Sequence, residues 1–198
     1  MSISRHQQEI LNQVQAFSRH AMTQNDPAHN EAHVERVVKL TRQLCSAYPE
    51  ADPFRAELLA WVHDLTDDKL VSNLGNATIS DILTQIGVGK EDIAFILHGI
   101  PYISYRKYPA LSPDVALEIR IVQDADRIDA MGAIGIARTF AYGGSKGRHL
   151  LNSLAHFDEK LLKLHGLLNT EAAKKLASDR YDFLWSFYQQ FLKEWECE

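Results

Sequence analysis

The sequence predicts an all-α protein that folds as a single domain. Apolar residues recur at helical spacing along most of the 198 residues, and pairs of residues typical of helix starts occur three times. No segment shows the alternation of a half-buried strand, and no linker is long enough to separate two domains. We therefore expect one helical domain over residues 1–198, with its core at about 20–140 and C-terminal helices at 150–196.

The first three helices follow from the apolar pattern and from two helix-start pairs. Residues 5–22 carry apolar side chains at helical spacing. Asp26-Pro27 and Asp52-Pro53 each combine a good N-cap residue with a proline suited to the first helical position. They predict helices over 28–47 and 54–66.

The remaining helices are predicted by the same signals. Helices over 78–86 and 90–100 meet at Gly87-Val88-Gly89, a pattern typical of helix ends. Ser112-Pro113 predicts a long helix over 114–140, which is apolar on most sides and therefore central to the fold. The chain closes with two further helices, over 153–164 and 170–195.

Composition excludes several classes of partner. The formal net charge of −5 argues against a nucleic-acid backbone as the main partner, and no signal peptide or membrane span is found. The two cysteines, Cys45 and Cys197, are too few for a disulfide framework, so we expect a cytoplasmic protein. Nine histidines raise the expectation of a metal or titrating site. The oligomeric state stays open between monomer and homodimer.

A histidine and a carboxylate stand side by side in the apolar helical segment from Glu57 to Lys69. Burying His63 and Asp64 is costly unless something neutralises the charge, and a divalent metal does this well. His33 and Asp126 lie in other apolar helices and could complete the site. The residues alone leave open a hydrogen-bonded core histidine and a salt-bridged helical aspartate.

The combination resembles the HD superfamily of metal-dependent phosphohydrolases, in the order His, His-Asp, Asp. The resemblance extends from about residue 20 to 194 and rests on three segments: HVERV (33–37), WVHDLTDDK (61–69) and VQDADRIDA (122–130). It implies a helical HD-type bundle with a metal site between central helices, and these four metal ligands: His33, His63, Asp64 and Asp126. Asp124 competes with Asp126; we prefer Asp126 because it follows a small apolar residue and precedes a basic one. Asp124 would then orient a ligand or water, or face solvent.

The resemblance also implies roles for four further residues. Asp67 would orient or deprotonate the attacking water, and Lys69 would neutralise a phosphate oxygen. His29 and His98 would contact phosphate or protonate the leaving group. Each of these residues has an ordinary structural alternative, such as a solvated carboxylate or a core histidine. An aromatic and basic loop near Tyr102 suits a nucleobase and phosphates, although many solvated loops look the same.

The function implied is a divalent-metal-dependent phosphohydrolase acting on a small-molecule nucleotide. The segment Gln123 to Gly144 resembles a small single-domain bacterial branch, some members of which convert nucleoside triphosphates to monophosphate and pyrophosphate. A nucleoside monophosphatase, an alarmone hydrolase and a non-catalytic metal or nucleotide sensor remain alternatives. Two imidazoles and two carboxylates favour one ion of Mn²⁺, with Mg²⁺, Fe²⁺, Ni²⁺ and Co²⁺ also compatible.

Overall fold

The computed structural model describes residues 3–22, 31–65 and 75–196, and within these ranges the regular structure is entirely helical. The prediction of an all-α, single-domain fold is confirmed. Two short 3₁₀ turns, Leu161–Lys163 and His165–Leu167, precede the last helix. The α-helices are α1 Arg5–Met22, α2 Glu31–Cys45, α3 Pro53–Val62, α4 Asn76–Ile86, α5 Lys90–Ile103, α6 Leu117–Asp129, α7 Gly132–Ser145, α8 Leu150–Glu159 and α9 Glu171–Glu196.

Most predicted helices are found, but the prediction of one long helix over 114–140 is wrong. The chain forms α6 and α7 instead, and Met131 between them is extended, with φ −106° and ψ 166°. Gly132 follows with φ +70°, a left-handed conformation that glycine adopts without a steric penalty. The start at Ser112-Pro113 also differs, because these residues form a turn and α6 begins at Leu117.

The start of α3 follows the prediction from its N-cap. The side chain of Asp52 accepts hydrogen bonds from the backbone N–H groups of Phe54 and Arg55, and Pro53 occupies the first helical position. The other predicted start, Asp26-Pro27, lies outside the described residues.

Helix α3 is the centre of the core. From Ala56 to Val62 every side chain is buried, and the helix packs against α1, α2, α5 and α6. A helix that is apolar on all sides is stable only where other helices surround it. Its one buried acid, Glu57, is paired with Arg42 of α2. The C-terminal end of α3 therefore lies against α2 and α6.

The C-terminal helices form a second layer on the same core. Helix α6 packs against α2 and α3 and also against α9, which packs against α7. Phe140, Phe157, Phe187 and Phe191 form an aromatic cluster between α7, α8 and α9, with ring centroids about 6 Å apart. Within the described residues, no helix has the length and apolar character needed to cross a membrane.

Candidate metal centre

The end of α3 orients the first two candidate ligands. His63 caps the helix and its Nδ1 lies 2.8 Å from the carbonyl oxygen of Ala60. Because a carbonyl only accepts hydrogen bonds, Nδ1 carries the proton and donates it. In this tautomer Nε2 keeps its lone pair, which is available to a ligand or a cation. Asp64 follows directly in the turn after the helix.

Four predicted ligands from three parts of the fold converge at this corner. Nε2 of His33, on α2, lies 3.4 Å from a carboxylate oxygen of Asp64 and 3.3 Å from Oδ1 of Asp126, on α6. Nε2 of His63 lies 3.3 Å from the other oxygen of Asp64 and 4.0 Å from the same oxygen of Asp126. Two imidazole nitrogens and three carboxylate oxygens therefore border the space between these side chains.

The chemistry of this space fits a divalent cation. Nε2 of His63 is buried and makes no hydrogen bond to any residue that the structure describes. Its lone pair faces carboxylate oxygens, which is repulsive unless a proton or a cation lies between them. Atoms of His33, His63 and Asp64 lie within 4.8 Å of one another, as the ligands of one ion would. A cation would remove the repulsion and satisfy the unpaired nitrogen.

A buried carboxylate that the sequence did not single out holds His33 in place. Oδ2 of Asp129 lies 2.7 Å from Nδ1 of His33, and Asp129 also accepts from Nε of Arg36 at 2.6 Å and from Nη1 of Arg138 at 2.6 Å. Asp129 is on the same face of α6 as Asp126, three residues away. That spacing is the one sequence signal that could have identified it.

The electrostatics at the centre are dominated by three aspartates, Asp64, Asp126 and Asp129. Burial opposes the charged form of His33, but hydrogen bonds to Asp126, Asp129 and Asp64 raise its pKa to about 10. Burial also opposes the charge on Asp129, yet His33 and Arg36 hold the pKa of Asp129 well below its usual range. His33 is thus protonated at neutral pH when no cation is bound, and metal binding would release that proton.

Asp124, the alternative to Asp126, is directed elsewhere. It is fully buried, and its oxygens accept hydrogen bonds from the backbone N–H groups and the side chains of Asn169 and Thr170 at 2.7–2.9 Å. Burial raises the pKa of Asp124, and these hydrogen bonds oppose the shift. Asp124 binds the start of α9, a role the sequence did not suggest, whereas Oδ1 of Asp126 lies close to both His33 and His63.

Of the remaining predicted residues, only His98 lies in the part of the chain that the structure describes. His98 is exposed on α5, where its ring centroid lies 5.1 Å from that of Tyr102. No hydrogen bond or ion pair connects His98 with the four candidate ligands in the part of the chain described here. His29, Asp67 and Lys69 lie outside the described residues.

Comparison with known proteins identifies the class to which this fold and site belong. A solved structure of an HD-superfamily hydrolase from Bacillus thuringiensis is 38% identical, covers 97% of this chain and 100% of its own, and superposes with a TM-score of 0.76. No family model matches the sequence. The identity and the near-complete coverage show that the chain belongs to the HD superfamily of hydrolases.

Within that superfamily the chain is similar to YpgQ of Bacillus subtilis. The two sequences are 37% identical over 189 residues, which is 92% of each chain. The crystal structure of YpgQ in complex with ADP superposes on this chain with a TM-score of 0.84 at 35% identity, covering 96% of both. The similarity thus spans both the helical core and the C-terminal helices.

Proposed function

We propose that this hydrolase is a divalent-metal-dependent phosphohydrolase that acts on nucleotides. The observation that carries the proposal is the convergence of His33, His63, Asp64 and Asp126 around an unpaired, buried imidazole nitrogen. Binding of ADP by YpgQ supports a nucleotide as the ligand. The specific reaction we propose is hydrolysis of a nucleoside triphosphate to monophosphate and pyrophosphate.

The proposed ligands are orientated by their neighbours. Hydrogen bonds at Nδ1, from His33 to Asp129 and from His63 to Ala60, direct both Nε2 atoms to one place. A divalent ion held there would lower the pKa of water and polarise a phosphoryl oxygen. Mn²⁺ is the ion we favour, because mixed nitrogen and carboxylate ligands suit borderline metals.

We assign the proton and phosphate chemistry to the four further residues named from the sequence. Asp67 would orient the attacking water and accept its proton as water adds to the α-phosphorus. The bond from the α-phosphorus to the bridging oxygen then breaks and pyrophosphate leaves. Lys69, His29 and His98 would contact the phosphates, whose developing charge they would stabilise.

A nucleotide panel with identified products tests the proposal. The purified chain is incubated with nucleoside mono-, di- and triphosphates and with an alarmone, each with Mn²⁺, Mg²⁺ or a chelator. We expect nucleoside triphosphates to give monophosphate and pyrophosphate in equal amounts, with a chelator abolishing turnover. His63→Ala, purified in the same way, excludes a contaminating phosphatase.

Each other outcome selects a different function. Release of inorganic phosphate from monophosphates indicates a nucleoside monophosphatase, and pyrophosphate release from the alarmone alone indicates an alarmone hydrolase. Nucleotide binding without product in the presence of every divalent ion contradicts the enzyme and indicates a sensor.

A further inference from the structure

A small cleft lies between α6, the loop before it, and the segment that leads from the second 3₁₀ turn to α9. Its volume is about 250 Å³, which is room for about eight water molecules at roughly 30 Å³ each. The loop contributes Ala110, Leu111 and Pro113, the segment contributes residues 166–169, and Arg120 of α6 completes the lining. The cleft is therefore large enough for a small organic molecule.

The cleft and the metal centre use different faces of α6. The face beside the cleft carries four polar residues that follow one another three or four positions apart: Arg120, Gln123, Asp124 and Arg127. Asp126 and Asp129 share another face, and the centres of the two faces are about 140° apart at 3.6 residues per turn. None of the four candidate metal ligands lines the cleft. The two sites are thus separate.

A single buried guanidinium connects both walls of the cleft. Nη2 of Arg127 donates to the carbonyl oxygens of Tyr108 at 3.1 Å and of Pro109 at 2.9 Å, where the loop begins, and Nη1 donates to the carbonyl oxygen of Leu167 in the opposite wall. Arg127 is only 1% exposed. Burying a guanidinium is costly, and these hydrogen bonds offset that cost while they hold the walls in place.

A second set of hydrogen bonds fixes the same two walls. Nδ2 of Asn169 donates to Oε1 of Gln123 at 2.9 Å and to Oδ1 of Asp124 at 2.8 Å. At its other end, Nε2 of Gln123 donates to the carbonyl oxygens of Tyr102 at 2.6 Å and of Tyr108 at 3.1 Å. Gln123 and Asp124 are fully buried. Because buried groups on α6 hold both walls, the cleft is a preformed space rather than a gap between loose segments.

Arg120 brings a positive charge to the cleft. It is half-buried, and its Nε donates to the carbonyl oxygen of Val115 at 3.0 Å. Among the residues described, neither Nη atom of Arg120 is hydrogen-bonded and no carboxylate pairs with it. A guanidinium presents its donors in a fork that matches a carboxylate or a phosphate. A half-buried one without a counter-ion therefore favours an anionic group.

We propose that this cleft is a second binding site, which takes a small molecule with an apolar body and one anionic group. Arg120 would pair with the anionic group, a carboxylate or a phosphate, and the apolar body would contact the side chains of Leu111, Leu167 and Leu168. An apolar lining with a few polar groups that fix orientation is typical of ligand sites. The site does not depend on the metal centre or on the proposed hydrolase activity.

Four probes test the two halves of this ligand. Benzoate and phenyl phosphate carry an anionic group on a ring, benzyl alcohol keeps the ring without the charge, and acetate keeps the charge without the ring. Binding is measured by NMR titration of the full chain with ¹³C-labelled leucine methyl groups. Leu111, Leu167 and Leu168 report on the cleft.

Three variants locate the bound probe. Arg120→Gln removes the charge from the cleft. Arg106→Gln, the matched control, removes the same charge from an exposed residue of the preceding loop that does not line the cleft. His63→Ala alters the metal centre, so it shows whether a probe binds there instead. Circular dichroism verifies that each variant is folded.

We expect benzoate, phenyl phosphate or both to shift the three leucine signals saturably, and the anion that binds identifies the ligand as a carboxylate or a phosphate. Arg120→Gln should bind that probe about 10- to 100-fold more weakly, because hydrogen bonds to a charged group are lost. Benzyl alcohol and acetate should also bind the wild type more weakly. Arg106→Gln and His63→Ala should retain the affinity of the wild type.

Several results would overturn the proposal. These are the absence of a saturable shift with either aromatic anion, equal affinities of wild type and Arg120→Gln, and binding of benzyl alcohol or acetate as tight as that of the anions. Loss of binding in His63→Ala would place the probe at the metal centre and overturn it as well. If Arg120→Gln does not fold, the four probes compared on the wild type still decide.

Discussion

Nδ1 of His33 lies 2.7 Å from Oδ2 of Asp129, which is 96 residues further along the chain. The same carboxylate is bound by Arg36 of α2 and Arg138 of α7, so one buried side chain joins three helices. The pairing fixes which nitrogen of His33 faces Asp126. Asp129 is therefore a positioning residue for a candidate metal ligand rather than a ligand itself.

The first prediction concerns Asp129→Asn. The neutral amide keeps the size of the side chain but removes the charge that binds His33, so the imidazole is less firmly held. We expect the affinity for Mn²⁺ to fall about 10- to 100-fold. Titration calorimetry measures the affinity, and circular dichroism verifies that the variant is folded.

Asp182→Asn is the matched control for this change. Asp182 is exposed on α9, remote in sequence from the centre, and the same substitution there should leave Mn²⁺ affinity unchanged. A folded Asp129→Asn protein that binds Mn²⁺ as tightly as the control would show that Asp129 does not position His33.

The second prediction separates Asp126 from Asp124. Asp126→Asn removes a charged oxygen that faces both histidines, so the bound metal should be lost. Asp124→Asn weakens the hydrogen bonds that hold the start of α9, so the metal should stay while the free energy of unfolding falls by about 1–3 kcal/mol. Metal analysis and urea denaturation measure the two effects.

The opposite pattern would exchange the two assignments. Metal loss in Asp124→Asn, together with retained metal in Asp126→Asn, would make Asp124 the fourth ligand. The two residues occupy the same helix and undergo the same chemical change, so each variant serves as the control for the other.

Much of the fold and part of the site could be predicted because the signals are local. The N-cap at Asp52 and the apolar pattern of α1 depend on neighbouring residues, and both predictions agree with the structure. The order of His33, His63-Asp64 and Asp126 can also be read directly from the sequence. What it cannot show is whether three helices bring these side chains together.

The features that the sequence missed depend on packing between distant segments. The break between α6 and α7 lies in an apolar run, where only the left-handed backbone at Gly132 distinguishes a turn from a continuous helix. From the sequence, Asp124 could be a solvent-facing carboxylate or an alternative metal ligand. The structure shows instead that the hydroxyl of Thr170 donates a hydrogen bond to it. The role of Asp129 likewise depends on partners that other helices contribute, so the sequence alone does not reveal it.

The third prediction is that removing the metal lowers thermal stability. The ion would bind side chains that only the folded state brings together, so the folded state gains binding energy that the unfolded chain lacks. At a free metal concentration 100 times Kd the gain is about 2.7 kcal/mol. This corresponds to an increase in Tm of roughly 5–11 °C, measured by calorimetry with Mn²⁺ and with chelator.

His63→Ala provides the control, because its Tm should not respond to Mn²⁺. An equal response in wild type and in this variant would mean that the ion acts elsewhere on the protein. No response in either would contradict the metal centre.

The fourth prediction concerns the turn between α6 and α7, which sets the position of Arg138 relative to Asp129. Gly132 has φ +70°, and an added Cβ would lie 3.2 Å from side-chain atoms of Arg180. Gly132→Ala should therefore lower the free energy of unfolding by about 1–2 kcal/mol, as measured in urea. Gly144→Ala in α7 is the control, because no atom lies within 4 Å of its added Cβ and alanine favours a helix by up to about 1 kcal/mol. Equal stability of the two variants would show that the left-handed turn imposes no constraint.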